Sequence, residues 1–418
     1  MKKLLIVYPH WPPSNLAGVH RSRLIANFSK EFGWDVTVLT VHESQYEETL
    51  DPDLCKLVAP HVDVVKTDAW GVSKLLGRRL IGDIGIRGWF HLRKRMLALL
   101  QSKDFDFVWI PIPSWYTSLL GRVAWRKHGV PFGIDYIDPW VYQLTQYEKP
   151  FSRPWFARQV ALILEPIAIR KAALISGVSA EYYEPALLRN FRHNHRPVTI
   201  EMPYGFDPRD HEIELENPAL PFSISDGDFI LYAGAFLPHS EAFMATLFRA
   251  VQTLDSLGKW PPNLVFRFVG VGSRPGKSIS QLAKEAGVGH LVHEHPERRP
   301  FLVIQHLLRR ATFNVIVGST EPHYTASKTF QCLLAGKPIF AVFHAESSAM
   351  QFLIESDAAG FAVAWTQANN DQLEENMVQK LEDMLGGQSW CPNLGALDNH
   401  SSKNSARILF EAIERILL

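Results

Sequence analysis

Ala326-Ser327-Lys328-Thr329-Phe330-Gln331-Cys332-Leu333-Leu334-Ala335-Gly336-Lys337-Pro338-Ile339-Phe340-Ala341-Val342 reads as an amphipathic helix opened by a cation, stopped by Gly336 and followed at once by an apolar strand. A helix start with an ammonium beside it offers backbone N–H groups and positive charge together, which suits an anion. Just upstream, Val315-Ile316-Val317-Gly318-Ser319-Thr320-Glu321 is a short apolar strand that ends in a small-residue loop carrying one carboxylate. A carboxylate beside an anion site fits a ligand with both phosphates and sugar hydroxyls. Strand, helix and strand in succession are also the repeating unit of a parallel α/β sheet.

The same alternation runs outward in both directions. Toward the amino terminus the pattern predicts strands over 3–8, 34–41, 107–110, 131–135, 173–176 and 199–202, with helices over 18–32 and 114–128. Near-continuous apolar strands separated by helices imply a sheet covered on both faces. After Tyr204-Gly205-Phe206-Asp207 comes a polar, Pro-punctuated stretch, 208–228, with the composition of an interdomain linker. The alternation then restarts with strands over 229–234, 264–269 and 313–317 and a helix over 241–257. Two doubly wound α/β domains are expected, over 1–207 and 208–401, with a last helix in 402–418 that can pack back on the first. In such sheets ligands bind beyond the carboxyl ends of the strands, so facing domains would enclose a cleft.

Composition narrows the class. The 418 residues are 46% hydrophobic and 21% charged, enough for two cores and long for one. Forty-three basic and 43 acidic residues cancel, which argues against general nucleic-acid binding. Cys55, Cys332 and Cys391 are scattered and odd in number, as expected of reduced thiols in a cytoplasmic protein with no disulfide frame or zinc site. Met1-Lys2-Lys3 before a short apolar run reads as the first core strand rather than a leader, and no run reaches the ~18 apolar residues of a membrane span.

Seven pieces of the chain, in order, resemble the retaining GT4-like glycosyltransferases of the GT-B fold. They are the Pro-Pro-Ser loop with Gly18; Asp138-Pro139-Trp140; Ser176-Gly177-Val178-Ser179; Met202-Pro203-Tyr204-Gly205-Phe206-Asp207; Leu231-Tyr232-Ala233-Gly234; Phe268-Val269-Gly270-Val271-Gly272; and Ser327-Lys328-Thr329-Phe330. The resemblance implies transfer of a sugar from a nucleotide-diphosphate sugar to an acceptor hydroxyl, with retained configuration and neither cofactor nor metal. The carboxyl-terminal domain would hold the donor. The acceptor, a glycan, a lipid-linked sugar or a small molecule, would sit on the amino-terminal domain. It implies Asp138, Glu321 and Lys328 as the catalytic set. Gly18, Arg21, Gly234, His239, Gly270, Gly272, Ser327 and Gln331 would be the binding set.

Three departures stand out. Glu321 lies ten residues before position 331 where the family has eight, Gln331 stands where relatives carry a ribose-binding glutamate, and Gly234-Ala235-Phe236-Leu237-Pro238-His239 lacks the usual Arg and Lys. These motivate an alternative: a catalytically weakened sugar-nucleotide or glycan-binding protein on the same fold. Gly270-Val271-Gly272 lacks the third glycine of a dinucleotide fingerprint, which disfavours NAD.

Several further features read as structure. Asp51/Asp53, Asp104/Asp106 and Asp226/Asp228 are read as capping or loop residues, not as a metal site. His10 is read as structural, and Glu165 as lying on a helix surface. Between Lys74 and Lys103, eight cations face one acid and alternate with apolar residues. That segment is either a core helix with a basic outer face or a peripheral contact with an anionic inner membrane surface.

Overall fold

The computed structural model describes residues 1–75, 78–142, 150–191, 196–224, 227–236, 238–272, 276–321 and 328–418. Ser327, the small residues before it and Asp226 lie outside them. The chain divides into two compact units: Met1–Asp207 with Asn399–Leu418, and Pro208–Asp398.

The first unit is built on a seven-stranded parallel sheet. Its strands are β1 (Lys2–Val7), β2 (Trp34–Val41), β3 (Asp63–Thr67), β6 (Phe107–Ile112), β7 (Phe132–Tyr136), β8 (Leu174–Gly177) and β9 (Val198–Glu201); β4 (Ser73–Leu75) and β5 (Arg78–Ile81) form a separate hairpin. The helices are α1 (Ala17–Phe28), α2 (Ile84–Arg87), α3 (Trp89–Ser102), α4 (Leu119–His128), α5 (Arg153–Ile169) and α6 (Ala180–Asn190). The order β3-β2-β1-β6-β7-β8-β9 reverses direction between β1 and β6. Every residue of β6 is buried, as are the last four of β1, so both faces of the sheet centre are covered and period-two alternation is lost.

The second unit carries a six-stranded parallel sheet. Its strands are β10 (Phe229–Ala233), β11 (Val265–Val269), β12 (Val292–His295), β13 (Phe313–Val317), β14 (Ile339–His344) and β15 (Ala362–Trp365). Its helices are α7 (Glu241–Ser256), α8 (Ile279–Glu285), α9 (Phe301–Arg310), α10 (Lys328–Leu334), α11 (Ser348–Glu355) and α12 (Leu373–Leu385). The order β12-β11-β10-β13-β14-β15 repeats the doubly wound pattern, and its reversal falls between β10 and β13.

The last helix, α13 (Ser402–Leu417), packs on the first unit, where Leu409, Phe410 and Ile413 join a core with Trp34, Phe28 and Trp109. Phe410 stacks on Trp34 at 5.4 Å between ring centroids.

Two expectations change. The stretch 208–228 is not an open linker: Asp210 and His211 are buried on a short helical turn, and Phe222 packs on Phe229 and under Arg267. Glu165 does not lie on a helix surface. It is buried, with Arg189 at 2.9 Å and Asn190 at 3.0 Å. Within the segment from 74 to 103, α3 turns Leu92, Met96, Leu99 and Leu100 into the core and keeps Lys94 and Arg95 outside, as the core-helix reading expects of that part.

Candidate functional site

In a doubly wound sheet the loops that leave the two strands at the reversal point diverge and open a crevice at their carboxyl ends. The second unit has such a place between β10 and β13.

In the second unit the loop after β10 begins at Gly234, whose φ of 115° a side chain would strain. Gly270 and Gly272, after β11, also have positive φ, at 72° and 71°. The two loops are laced together, with Gly234 N–H donating to Val269 C=O and Phe236 N–H to Val271 C=O. Lys328, the first residue of α10, brings its Nζ to 4.1 Å above the Tyr232 ring, a cation–π contact at the end of β10. A Cβ on Gly234 would lie 3.7 Å from that ammonium, so the missing side chain leaves the cation beside the loop backbone. Arg298, exposed, follows β12, and its Cα lies 3.9 Å from where a Gly270 Cβ would stand. It is a second cation at the strand ends, which the sequence motif after Gly234 does not reveal.

Glu321 and His239 are both exposed and approach to 3.7 Å. The Glu321 N–H is held by Ser319 Oγ at 3.3 Å. Gln331, one turn into α10, is engaged from two sides. His211 Nε2 lies 2.9 Å from its Oε1, and Gln305 Nε2 donates to the same oxygen at 2.7 Å. An amide oxygen only accepts, so His211 carries its proton on Nε2. Burial is the main force holding the His211 pKa down, to about 4, with the Arg309 charge acting the same way and the Gln331 hydrogen bond opposing. The ring is therefore neutral at pH 7. Sequence reasoning missed both partners. Gln305 left a signal as a polar residue on the buried face of α9, among Leu302, Val303, Leu307 and Leu308.

In the first unit a cavity of about 320 Å³ opens beyond β1 and β2, lined by His10, Tyr46, Glu47, Glu48, Asp83, Ile84 and Arg87. His10 Nδ1 lies 2.8 Å from Glu48 Oε1, and Ser14 Oγ donates to that oxygen at 2.5 Å. Burial alone would raise the Glu48 carboxyl, but these hydrogen bonds and the His10 charge bring it down to about 2. Asp83 caps α2 by accepting from Ile86 N–H at 3.0 Å, and burial raises its pKa. Arg87, although it lines the cavity, donates to the backbone carbonyls of Trp70 and Gln45 at 2.9 and 2.8 Å. The cavity is acidic on balance.

Asp138 follows β7 with an exposed side chain, yet enough protein surrounds its carboxyl that desolvation raises its pKa. Gly18 is buried, and a Cβ there would meet the Tyr8 hydroxyl at 2.2 Å, so this glycine serves helix-to-sheet packing. Arg21 does not reach a ligand surface. Its buried guanidinium binds Asp135 from Nε at 2.5 Å and Nη2 at 3.0 Å, and donates to Pro203 C=O at 2.8 Å. Among the described residues, no three or more His, Cys, Asp or Glu gather as metal ligands.

Two doubly wound parallel sheets, with glycine loops and a lysine at the reversal point of the second, define the GT-B class of two Rossmann-like domains. A family profile described as a glycosyl transferase 4-like domain matches residues 17–201, within the first unit.

Solved structures agree on the fold. Sucrose-phosphate synthase from Thermosynechococcus elongatus is 16% identical, with 99% of this chain and 96% of that one covered and a TM-score of 0.55. HepE of Anabaena, in complex with UDP and glucose, is 14% identical over 99% of this chain and 100% of its own, also with a TM-score of 0.55. A putative UDP-N-acetylglucosamine 2-epimerase from Listeria monocytogenes is 15% identical over 99% and 96%, with a TM-score of 0.51. With a putative epimerase on the same architecture, the likeness to these structures speaks to the fold and not to the reaction. A search of curated proteins finds no match to the chain.

Proposed function

We propose that the protein is a retaining glycosyltransferase that uses a nucleoside-diphosphate sugar, of the uridine class that HepE binds, and moves the sugar to a hydroxyl of an uncharged, hydroxyl-rich acceptor. The observation that carries this reading is the Lys328 ammonium fixed over Tyr232 and against Gly234. The chemical difficulty is the charge that grows on the departing diphosphate while the sugar becomes cationic, and preorganised positive charge lowers that barrier most. Lys328 supplies one charge and Arg298 a second. The bare glycine loops let backbone approach the phosphates closely. Glu321, exposed and tethered through its own N–H, is the candidate for contact with the transferred sugar. Ser327, next to Lys328, completes the proposed donor set.

Gln331 works differently from a ribose-binding glutamate. Its oxygen already accepts two hydrogen bonds, so only its N–H₂ remains for a ligand, and it would donate to ribose oxygens instead of accepting from them. The acidic cavity of the first unit, with ionised Glu48, suits hydroxyl donors and disfavours phosphorylated acceptors. Asp138 is the candidate for orienting the acceptor hydroxyl.

A thermal-shift titration with UDP tests the donor site, because a ligand bound only by the folded state at ~100 times its Kd adds about 2.7 kcal/mol of stability. The wild type should shift and Lys328→Ala should not; an equal shift in both places the donor elsewhere. The Gln331 cluster also favours the second reading, a binding protein without turnover. Release of UDP from UDP-glucose in the presence of acceptors, at concentrations that saturate the thermal shift, separates the two.

A further inference from the structure

Helix α5 is apolar on the side that should be polar. A helix on the surface of a domain buries one stripe and solvates the opposite one. In α5 the buried residues are Ala161, Glu165, Ala168 and Ile169. On the far side Phe156, Val160, Ile163 and Ile167 are 53%, 40%, 66% and 43% exposed. Their spacing of four, three and four residues, at about 100° per residue, keeps them within roughly 60° of one another, centred opposite the buried face. Phe151, 74% exposed and held at a φ of 63°, extends the stripe at its amino end, with its ring 5.0 Å from that of Trp155. One exposed leucine or valine is ordinary; an aligned row of five large side chains marks a contact surface.

The surroundings say what the contact is. From 151 to 171 the cations are Arg153, Arg158, Arg170 and Lys171, and the one acid is Glu165, which is buried and paired with Arg189. Arg153, Arg170 and Lys171 are exposed around the stripe. The neighbouring α4 has no acid and adds Arg122, whose Nη1 donates to Ile167 C=O at 3.1 Å, with Arg126 and Lys127 exposed at its end. Lys171 Nζ lies 5.3 Å from the exposed Trp125 ring, which places an indole at the border between the apolar stripe and the charges. An apolar row with an amphipathic aromatic at its edge and cations on its flanks matches an anionic lipid surface, with acyl chains under the row and headgroups beside it. No helix among the described residues is long and apolar enough to cross a membrane, so the contact would lie in the interface plane.

We infer that α5 and the end of α4 form an in-plane docking surface for an anionic lipid bilayer. On α3, by contrast, Leu92, Met96, Leu99 and Leu100 are spent on the core, and the exposed Phe90 packs on Trp70 instead of extending a row along the helix.

Flotation of the full-length protein with phosphatidylcholine vesicles, with and without phosphatidylglycerol, tests this. Anionic vesicles should bind at least tenfold more tightly than neutral ones, and high salt should weaken the binding. The double substitution Phe156→Ser, Ile163→Ser should abolish it, since it removes the centre of the row. Arg170→Glu with Lys171→Glu should weaken it by a similar factor, while neutralising Arg93, Lys94 and Arg95 should leave it unchanged. All these positions are exposed or half-exposed, so thermal midpoints and the UDP-induced shift should match the wild type. That control separates failure of this surface from failure of the donor reading. No vesicle binding, binding that survives the serine pair, or a serine-sensitive dimer that ignores lipid each overturns the proposal.

Discussion

His211 donates through Nε2 to Gln331 while burial holds its ring neutral, and that burial makes the stability of the region depend on pH. The folded pKa of about 4 lies below the ordinary 6.5, so between those values the unfolded chain binds the extra proton. The stability tied to this ring is complete above pH 6.5 and is lost as pH falls toward 4. Urea unfolding at pH 7.5 and 4.5 should show a wild-type loss about 2–3 kcal/mol larger than that of His211→Asn, which has no proton to take up. Equal losses in the two proteins would deny the burial of the neutral ring. Gln331→Glu sets a carboxylate 2.9 Å from Nε2 and should raise the His211 pKa toward or above 6.5, as followed by its imidazole proton resonances in a pH titration. Lys328, Gly234 and Gly270 were legible in the sequence because local chemistry marks them: a cation opening a helix, and glycines just after apolar strands. His211 was not, since it meets Gln331 across 120 positions and sits in a stretch whose polarity mimics a linker.

Strands showed themselves better than the contacts between elements. β2 and β13 fall on the boundaries read from the sequence because they are interior strands, buried along nearly their whole length and bounded by turn residues. β3 and β9 are edge strands of mixed burial with weaker patterns, and β3 was not read from the sequence. The sequence placed Arg21 correctly in the first helix and misjudged where its side chain ends. A cation one turn into α1 can face a ligand or the sheet, and only the position of Asp135 on β7 settles that it faces the sheet. Asp135 also accepts from Ser176 Oγ at 2.7 Å, so one carboxylate joins α1, β7 and β8. Removing its charge leaves a buried guanidinium uncompensated. Asp135→Asn should therefore lose about 3–5 kcal/mol in chemical unfolding. If the structural role is the whole role, the variant should keep the wild-type UDP affinity below its melting temperature, whereas a ligand role for Arg21 would weaken binding in proportion.

At the scale of the molecule, each unit closes its own core, with one asymmetry in how the chain is shared. The core on one face of the second unit's sheet is drawn from residues between Ile230 and Met384, and the unit as a whole closes within Pro208–Asp398. The first unit borrows α13 from the far end of the chain, and Ala406, Leu409, Phe410 and Ile413 are nearly fully buried there. Amphipathic spacing disclosed α13 as a helix but not which core it completes, since either sheet presents an apolar face of suitable size. The two units should therefore respond differently to cutting. A fragment of residues 208–398 keeps its whole core together with Gly234, Lys328, His211 and Gln331, and should fold cooperatively and show a UDP-induced thermal shift that Lys328→Ala removes. A fragment of residues 1–207 lacks α13 and exposes the apolar side of β1 and α1 around Trp34. Burial of an aromatic and two or three aliphatic side chains, at about 1.5–3 kcal/mol each, is comparable to the whole stability of a domain, so this fragment should bind hydrophobic dye and resist cooperative melting until residues 399–418 are supplied in trans or by fusion. Cooperative melting of 1–207 alone would show that the borrowed helix is dispensable to the first unit.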